Sequence, residues 1–221
     1  MARTKTYLHF CPVARSLEVI GEKWSLLIVR DLLAGPRRFT DLLRGLGAIT
    51  PKWLTQRLRE LEGAGILERV QEEGRREVWY QLLPKGRELA PVVGALNVWG
   101  MRHAIREPLP DEAINASRLV VSFRAYLINR GLRPAAPVAW LFRFRDRDPL
   151  VLAFDGRHWA DVALAEETQE ADLTIDTSLE GWVAMLGTHE TAGNLALGGS
   201  PRQQAIFQSF LDDIIHHAIP A

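Results

Sequence analysis

The stretch TPKWLTQRLRELEGAG, residues Thr50 to Gly65, decides the fold of the N-terminal region. Thr50 can cap a helix, and Pro51 suits its first position because that amide has no partner within the helix. The apolar positions at helical spacing are Leu54, Leu58 and Leu61. The opposite face carries Lys52, Thr55, Gln56 and Arg59. Cations, hydroxyls and amides contact the phosphates and base edges of DNA, so this face predicts a DNA-reading helix. A solvated amphipathic helix is the alternative.

Three helical patterns precede this stretch. Apolar residues at helical spacing predict a first helix that ends at Gly21. Residues 23–34 are apolar almost all round, which predicts the buried central helix of the domain. A short helix is expected over residues 39–44, closed near Gly45 and Gly47.

A β-hairpin is predicted directly after the DNA-reading helix. Residues 66–70 and 77–82 read as strands, and the polar turn between them contains Arg75 and Arg76. Helices followed by a hairpin with a basic tip are the layout of a winged helix, in which these arginines reach phosphates or a flanking groove. Glu72 and Glu73 beside them would weaken that contact.

A further helix is predicted after Pro84. Its apolar face consists of Leu89, Val92, Val93, Leu96 and Trp99. This face is expected to pack either against a second subunit or within its own subunit.

Composition places the chain among ordinary globular proteins. Of its 221 residues, 47% are hydrophobic and 24% are charged, which excludes a disordered tail protein. No apolar run is long enough to cross a bilayer, and the first residues lack the pattern of a secretory signal. The single cysteine, Cys11, forbids an intrachain disulfide. These features predict a cytoplasmic protein without a membrane partner.

The net charge of zero conceals two oppositely charged halves. Residues 1–106 contain 18 Lys and Arg against 11 Asp and Glu, a net charge of +7, whereas residues 107–221 have a net charge of −7. A basic half predicts contact with a polyanion, although a chance division of surface charge is the alternative. Pro108 and Pro110 mark a seam. We therefore expect a DNA-binding domain over 1–106 and a second domain over 107–221.

An ordered series of short motifs runs between residues 9 and 103. They are Cys11-Pro12, Ile20–Trp24, Arg38-Phe39, Leu54–Glu62, Gly65–Leu67, Tyr80–Gly86 and Val98–Gly100. The series closely resembles the HxlR family, with Leu83 where that family more often has threonine and with a chain that continues well past Trp99-Gly100. The resemblance implies a bacterial winged helix-turn-helix transcription factor that binds a palindromic operator as a homodimer. The DNA-contacting residues expected from the helix, the wing and the resemblance are Arg38, Thr50, Pro51, Lys52, Thr55, Gln56, Arg59, Arg75 and Arg76.

Cys11 is a redox candidate. It directly precedes a predicted helix, with His9 and Arg15 close in sequence, and helix N-termini and cations activate thiols. The resemblance implies the same role, since some members of the family sense oxidants or electrophiles through an N-terminal cysteine. A small buried apolar residue is the alternative.

The C-terminal half alternates between strand and helix patterns. Strands are expected over 138–145, 150–154, 158–164, 171–177 and 193–199, and helices after Ser178 and Ser200. This order predicts an α+β domain with an antiparallel sheet. It resembles the sterol-carrier-protein-like fold over residues 135–212, which implies an apolar tunnel for a hydrophobic effector. The candidate lining residues are Trp140, Phe142, Phe154, Trp159, Trp182, Met185, Phe207 and Phe210, with ordinary core packing as the alternative.

No catalytic motif appears in the chain. The sequence lacks a dinucleotide-binding or phosphate-binding glycine loop and a nucleophile elbow. Asp213 and His217 lie four residues apart, but two ligands do not complete a metal site. We therefore predict a non-enzymatic regulator with no cofactor and no metal. The rival hypotheses are a Cys11-based redox regulator with a purely structural C-terminal domain, and a carrier of lipids or small molecules.

Overall fold

The computed structural model describes residues 6–71, 77–106, 108–109, 112, 114–145, 147–166, 169–188 and 195–218. The chain divides into two compact units, Met1–Val93 and Gly94–Ala221. The division falls inside one helix, so this helix contributes residues to both units. The boundary at 106/107 that the prolines suggest stays a prediction.

The first unit has a winged helix-turn-helix fold. Its helices are α1 (Pro12–Ile20), α2 (Ser25–Leu33), α3 (Phe39–Leu46), α4 (Pro51–Gly63) and α5 (Pro84–Arg87), followed by the start of α6 (Ala90–His103). Its strands are β1 (Arg37–Arg38), β2 (Leu67–Gln71) and β3 (Val78–Leu82), which form an antiparallel sheet in the order β1-β3-β2. The first four predicted helices and the hairpin are confirmed. The single helix predicted after Pro84 is instead divided into α5 and α6, and β1 was not predicted.

The core of the first unit lies between α2, α3, α4 and the hairpin. Ile28 and Val29 of the central helix α2 are fully buried, as the apolar pattern predicted. Gly86 of α5 lies directly against Ile66, the residue before β2. A Cβ at position 86 would collide with the Ile66 carbonyl, so the close approach requires glycine. Leu54, Leu58 and Leu61 of α4 share this core with Leu67 and Leu82 of the hairpin.

The second unit is an α+β unit. After the remainder of α6 it contains α7 (Ala116–Arg130), α8 (Leu179–Thr188) and α9 (Pro201–Ala218). Its strands are β4 (Val138–Phe144), β5 (Leu150–Phe154), β6 (Ala163–Leu164), β7 (Leu173–Thr177) and β8 (Ala196–Gly199), in the order β6-β5-β4-β7-β8. The Ser178 and Ser200 hydroxyls accept from the amides of Gly181 and Gln203, which confirms both predicted helix caps.

The prediction of an antiparallel sheet is wrong at its centre. β7 runs parallel to β4, with Trp140 opposite Leu173, while the other described pairs of strands are antiparallel. The apolar alternation identified β4, β5 and β7, whereas only Ala163–Leu164 of the strand expected over 158–164 forms a strand, with an isolated bridge at Trp159. Alternation is a local property and does not specify which strand is a neighbour or in which direction it runs. The sheet is therefore mixed.

Aromatic rings fill the space between this sheet and its helices. Phe142 of β4 lies 5.7 Å from Trp182 of α8 and 6.1 Å from Phe207 of α9, measured between ring centroids. Phe123 of α7 joins the same cluster. The helices therefore pack on the face of the sheet that carries Trp140, Phe142 and Phe144.

Candidate nucleic-acid interface

Local features of the sequence fix the position of α4. The Thr50 hydroxyl accepts a hydrogen bond from the Trp53 amide at 3.3 Å, so it caps the helix as predicted, and Pro51 occupies the first position. Leu54, Leu58 and Leu61 are buried in the core of the first unit. The helix is thereby anchored along one side.

The opposite side of α4 faces solvent. Lys52, Gln56 and Arg59 are exposed, and Thr55 is half-buried. The Thr55 hydroxyl donates to the Pro51 carbonyl at 2.8 Å, which leaves its oxygen lone pairs toward other donors. Three exposed side chains with cationic or amide ends thus share one helical face with a hydroxyl acceptor.

A charged cluster consisting of Glu22, Arg57 and Glu60 lies next to this face and contacts it through Gln56. Arg57 is only 5% exposed, and its guanidinium contacts Glu60 at 2.5 Å and Glu22 at 3.8 Å. Glu60 also accepts a hydrogen bond of 2.9 Å from the Gln56 amide. One carboxylate therefore holds both a buried cation and an exposed amide of α4, an arrangement that was not predicted from the sequence.

Trp53 is a second feature that was missed. Its side chain is 52% exposed although tryptophan is usually buried in large part. Its position between the leucine face and the polar face was the available signal. An exposed ring beside Lys52 adds apolar contact area to the edge of this face.

Arg38 has partners within the first unit. It lies in β1 opposite Trp79, and its guanidinium donates to Glu77 at 2.7 Å and stacks 4.7 Å above the Trp79 ring. This cation is thus held in place next to the hairpin. Arg75 and Arg76, the predicted tip of the wing, lie outside the described residues.

An exposed apolar arm precedes α1. Its exposed large side chains are Tyr7, Leu8 and Phe10, and Phe10 is 96% exposed. Glu18 fastens the start of this arm, because its carboxylate accepts from the Tyr7 amide and the Thr6 hydroxyl, both at 2.9 Å. These two hydrogen bonds, followed by Arg15, lower the pKa of Glu18.

Cys11 is the N-cap residue of α1 and is half-buried. The Arg15 guanidinium pairs with Glu18 at 3.0 Å. The nearby cation predicted for the thiol is therefore engaged by a carboxylate.

The eight aromatic and methionine candidates of the second unit lie together in its packed core. Their exposed fractions range from 0% to 9%. Trp182 also lines a cavity of about 300 Å³ between helices. Asp213, the metal candidate, instead accepts a 2.7 Å hydrogen bond from Tyr126 and pairs with Arg130 at 3.1 Å.

Within the described part of the chain, no three His, Cys, Asp or Glu side chains come close enough together to hold a metal ion. No helix among the described residues combines the length and apolar character that crossing a bilayer requires.

Comparison with known proteins places the first unit in a family. The model of the HxlR-like helix-turn-helix family matches residues 19–108. The chain is 41% identical over 93 residues to the uncharacterized HTH-type transcriptional regulator sll1512 of Synechocystis sp., which covers 42% of this chain and 69% of that protein. It is 41% identical over 95 residues to the uncharacterized HTH-type transcriptional regulator YtcD of Bacillus subtilis, covering 42% of this chain and 75% of that protein. The solved structure of the redox regulator HypR in its oxidized form has 38% identity, covers 41% of this chain and 94% of that chain, and gives a TM-score of 0.39.

Proposed function

The chain belongs to the HxlR-like helix-turn-helix family of transcriptional regulators, and on this premise we propose that it binds a palindromic operator as a homodimer and responds to an apolar small molecule. The observation that carries the DNA-binding part is the solvent-facing side of α4, where Lys52, Gln56 and Arg59 are exposed on a helix anchored by buried leucines.

The proposed contacts divide by chemistry. Lys52 and Arg59 bind phosphates or guanine edges, while the Gln56 amide pairs with an adenine edge. Thr50 and Pro51 place the start of α4, with its positive dipole end, next to a phosphate. Thr55 accepts or donates at a base edge. Arg38 and the wing arginines Arg75 and Arg76 contact the backbone beside this groove.

The proposed dimer buries surfaces that are exposed in the single chain. The arm before α1 presents Leu8 and Phe10, at 89% and 96% exposed. Helix α6 presents Val92 and Trp99, at 42% and 59% exposed. Apolar side chains exposed in clusters are typical of protein–protein contacts. Two copies related by a two-fold axis would read two inverted half-sites.

The second unit is proposed to be a sterol-carrier-like effector module without enzymatic activity, in a cytoplasmic protein. Its helices packed on one face of a sheet support this proposal. A rival hypothesis makes Cys11 the sensor, and its half-buried position at the start of α1 favours it. Retention of effector-controlled operator release in Cys11→Ser would reject that rival.

Selection of DNA from a pool of random duplexes by the full-length protein tests the proposal. We expect recovered sequences with two-fold symmetry, and a loss of affinity for all sequences in Lys52→Ala. Each lost phosphate contact should reduce the slope of log affinity against log salt by about 0.9. Gln56→Ala should instead also relax the preferred sequence.

The matched control removes a cation elsewhere. Arg157 is exposed in the turn after β5. Arg157→Ala removes one positive charge, as Lys52→Ala does, and should leave the slope of log affinity against log salt unchanged. If Lys52→Ala and Gln56→Ala both bind like the original protein, α4 does not enter the groove. If no sequence is enriched at all, the chain is a carrier rather than a regulator.

A further inference from the structure

A cavity of about 300 Å³ lies between helices of the second unit. Its floor consists of Met101, Phe123, Trp182 and Ile214, which are all at least 93% buried. The wall is completed by Leu96, Asn97, Gly100, Ala104, Ile105, Leu119 and Ser122. Every one of these residues belongs to α6, α7, α8 or α9 or to the turn after α6, so no strand of the sheet contributes to this wall.

Asn97 and Ser122 are the polar residues of this mainly apolar wall. The Asn97 amide nitrogen donates to the Ser122 carbonyl at 3.0 Å and lies 3.8 Å from the Met101 sulfur. These contacts fix the orientation of the side chain. Its carbonyl oxygen accepts no hydrogen bond from any described residue, which leaves it available to a donor within the cavity.

We propose that this cavity binds a small, mainly apolar molecule with one hydrogen-bond donor, such as an aromatic alcohol, whose donor reaches Asn97 Oδ1. The volume is at the lower end of the range for ligand sites, which fits a molecule of about 10–15 non-hydrogen atoms. Apolar walls with few placed polar groups are the usual composition of such sites. The inference rests on the proposed effector response and gives it a location outside the aromatic core.

Helix α6 connects this site with the first unit through the chain itself. It begins at Ala90, within the first unit, and its residues Leu96, Asn97, Gly100 and Met101 line the cavity. A ligand shifts a conformational equilibrium only if it binds one state better. A ligand in the cavity therefore favours the conformation in which α6 and α7 are separated by the width of the ligand.

Gly100 and Gly94 provide a matched pair of variants. Both lie in α6, and a Cβ at either position meets no described atom within 4 Å. Gly100 lines the cavity, whereas Gly94 is not among its lining residues. Leucine is also a better helix former than glycine, so both variants are expected to fold.

Calorimetric titration of the full-length protein with 2-naphthol, without DNA, tests the proposal. Gly100→Leu should weaken binding at least tenfold, while Gly94→Leu should bind like the original protein. 2-Methoxynaphthalene, which lacks the donor, should bind several-fold more weakly. Asn97→Leu should abolish that difference between the two probes.

Three results would overturn the proposal. The first is that the original protein does not bind 2-naphthol. The second is that Gly100→Leu binds 2-naphthol as tightly as the original protein does. The third is that the original protein does not bind 2-naphthol and that Gly100→Leu changes the oligomeric mass. The last result would assign the cavity to an interface between copies. Binding that fits the proposal but does not alter affinity for DNA would refute the effector response alone.

Discussion

Replacing Glu60 with alanine should loosen the DNA-reading helix and weaken its discrimination between sequences. The Glu60 carboxylate contacts the Arg57 guanidinium at 2.5 Å and 3.2 Å and accepts from the Gln56 amide at 2.9 Å. After the substitution, the remaining carboxylate near Arg57 is Glu22, at 3.8 Å. A guanidinium that is 95% buried then loses its close partner, and Gln56 loses the group that orients it.

The magnitude follows from these two contacts. The exposed Gln56–Glu60 pair, four residues apart on a helix, contributes about 0.2–0.5 kcal/mol. A hydrogen bond to a charged group contributes about 1.5–3 kcal/mol when buried. Glu60 is itself 37% exposed, so solvent screening places its contact with Arg57 below that range. The expected cost of Glu60→Ala is about 1–2 kcal/mol.

Glu62→Ala is the control, because it removes the same charge from an exposed position on the same helix. Hydrogen exchange in peptides from α4 should show faster local opening in Glu60→Ala than in Glu62→Ala. Both variants should bind random DNA slightly better, because each removes a negative charge near phosphates. Only Glu60→Ala should reduce the ratio of operator to random affinity. Equal behaviour of the two variants in both assays would refute a positioning role for Glu60.

Two other predictions concern ionisation and polar contacts. Asp213→Ala should destabilise the second unit by about 1–2 kcal/mol in urea unfolding, because the buried Tyr126 hydroxyl loses its charged acceptor at 2.7 Å and is left with the backbone carbonyl of residue 213 at 3.1 Å. Equal stability in Asp213→Ala would contradict this. Burial, followed by the Asp213 carboxylate, raises the pKa of Tyr126. The stability that the neutral Tyr126 hydroxyl contributes should therefore persist at neutral pH and decline only at strongly alkaline pH. Tyrosine absorbance measured against pH follows this ionisation. The pKa of Glu18 is lowered by the hydrogen bonds that hold the arm. The arm should therefore be fully held at pH values above the ordinary glutamate pKa, and it should be released as the pH falls through the lowered pKa of Glu18. The amide resonance of Tyr7 should shift in that acidic range, and it should already be shifted at neutral pH in Glu18→Gln.

Local determinants of the first unit were predictable from the sequence. The Thr50 cap, Pro51 at the first position and the spacing of the leucines all act within one helix, and the structure has α4 at Pro51–Gly63. The partner of Arg38 was not predictable in this way. Glu77 lies 39 residues further along the chain, and only the pairing of β1 with β3 brings the two side chains together.

In the second unit, local pattern predicted less. Helix α7 was missed although Val120, Phe123 and Leu127 are buried at helical spacing, because apolar residues such as Ile128, which is 50% exposed, also lie on the opposite side and obscure the period. The neighbour of β4 was missed because pairing depends on the path of the chain between strands. The cavity was missed for a related reason, since its wall is assembled from helices that are far apart in sequence.

Residue type alone does not distinguish an aromatic side chain that lines a ligand cavity from one that fills a packed core. The distinction depends on whether rings meet one another, and Trp140 lies 5.1 Å from both Trp159 and Phe207. Phe123 and Trp182 contact this packed core and also form part of the cavity floor. A ligand in the cavity would therefore press against rings that hold α7 and α8 to the sheet, while α6 on its other side continues into the first unit. Because a packed core yields little, displacement is expected mainly in α6, which is the element that a regulator would need to move.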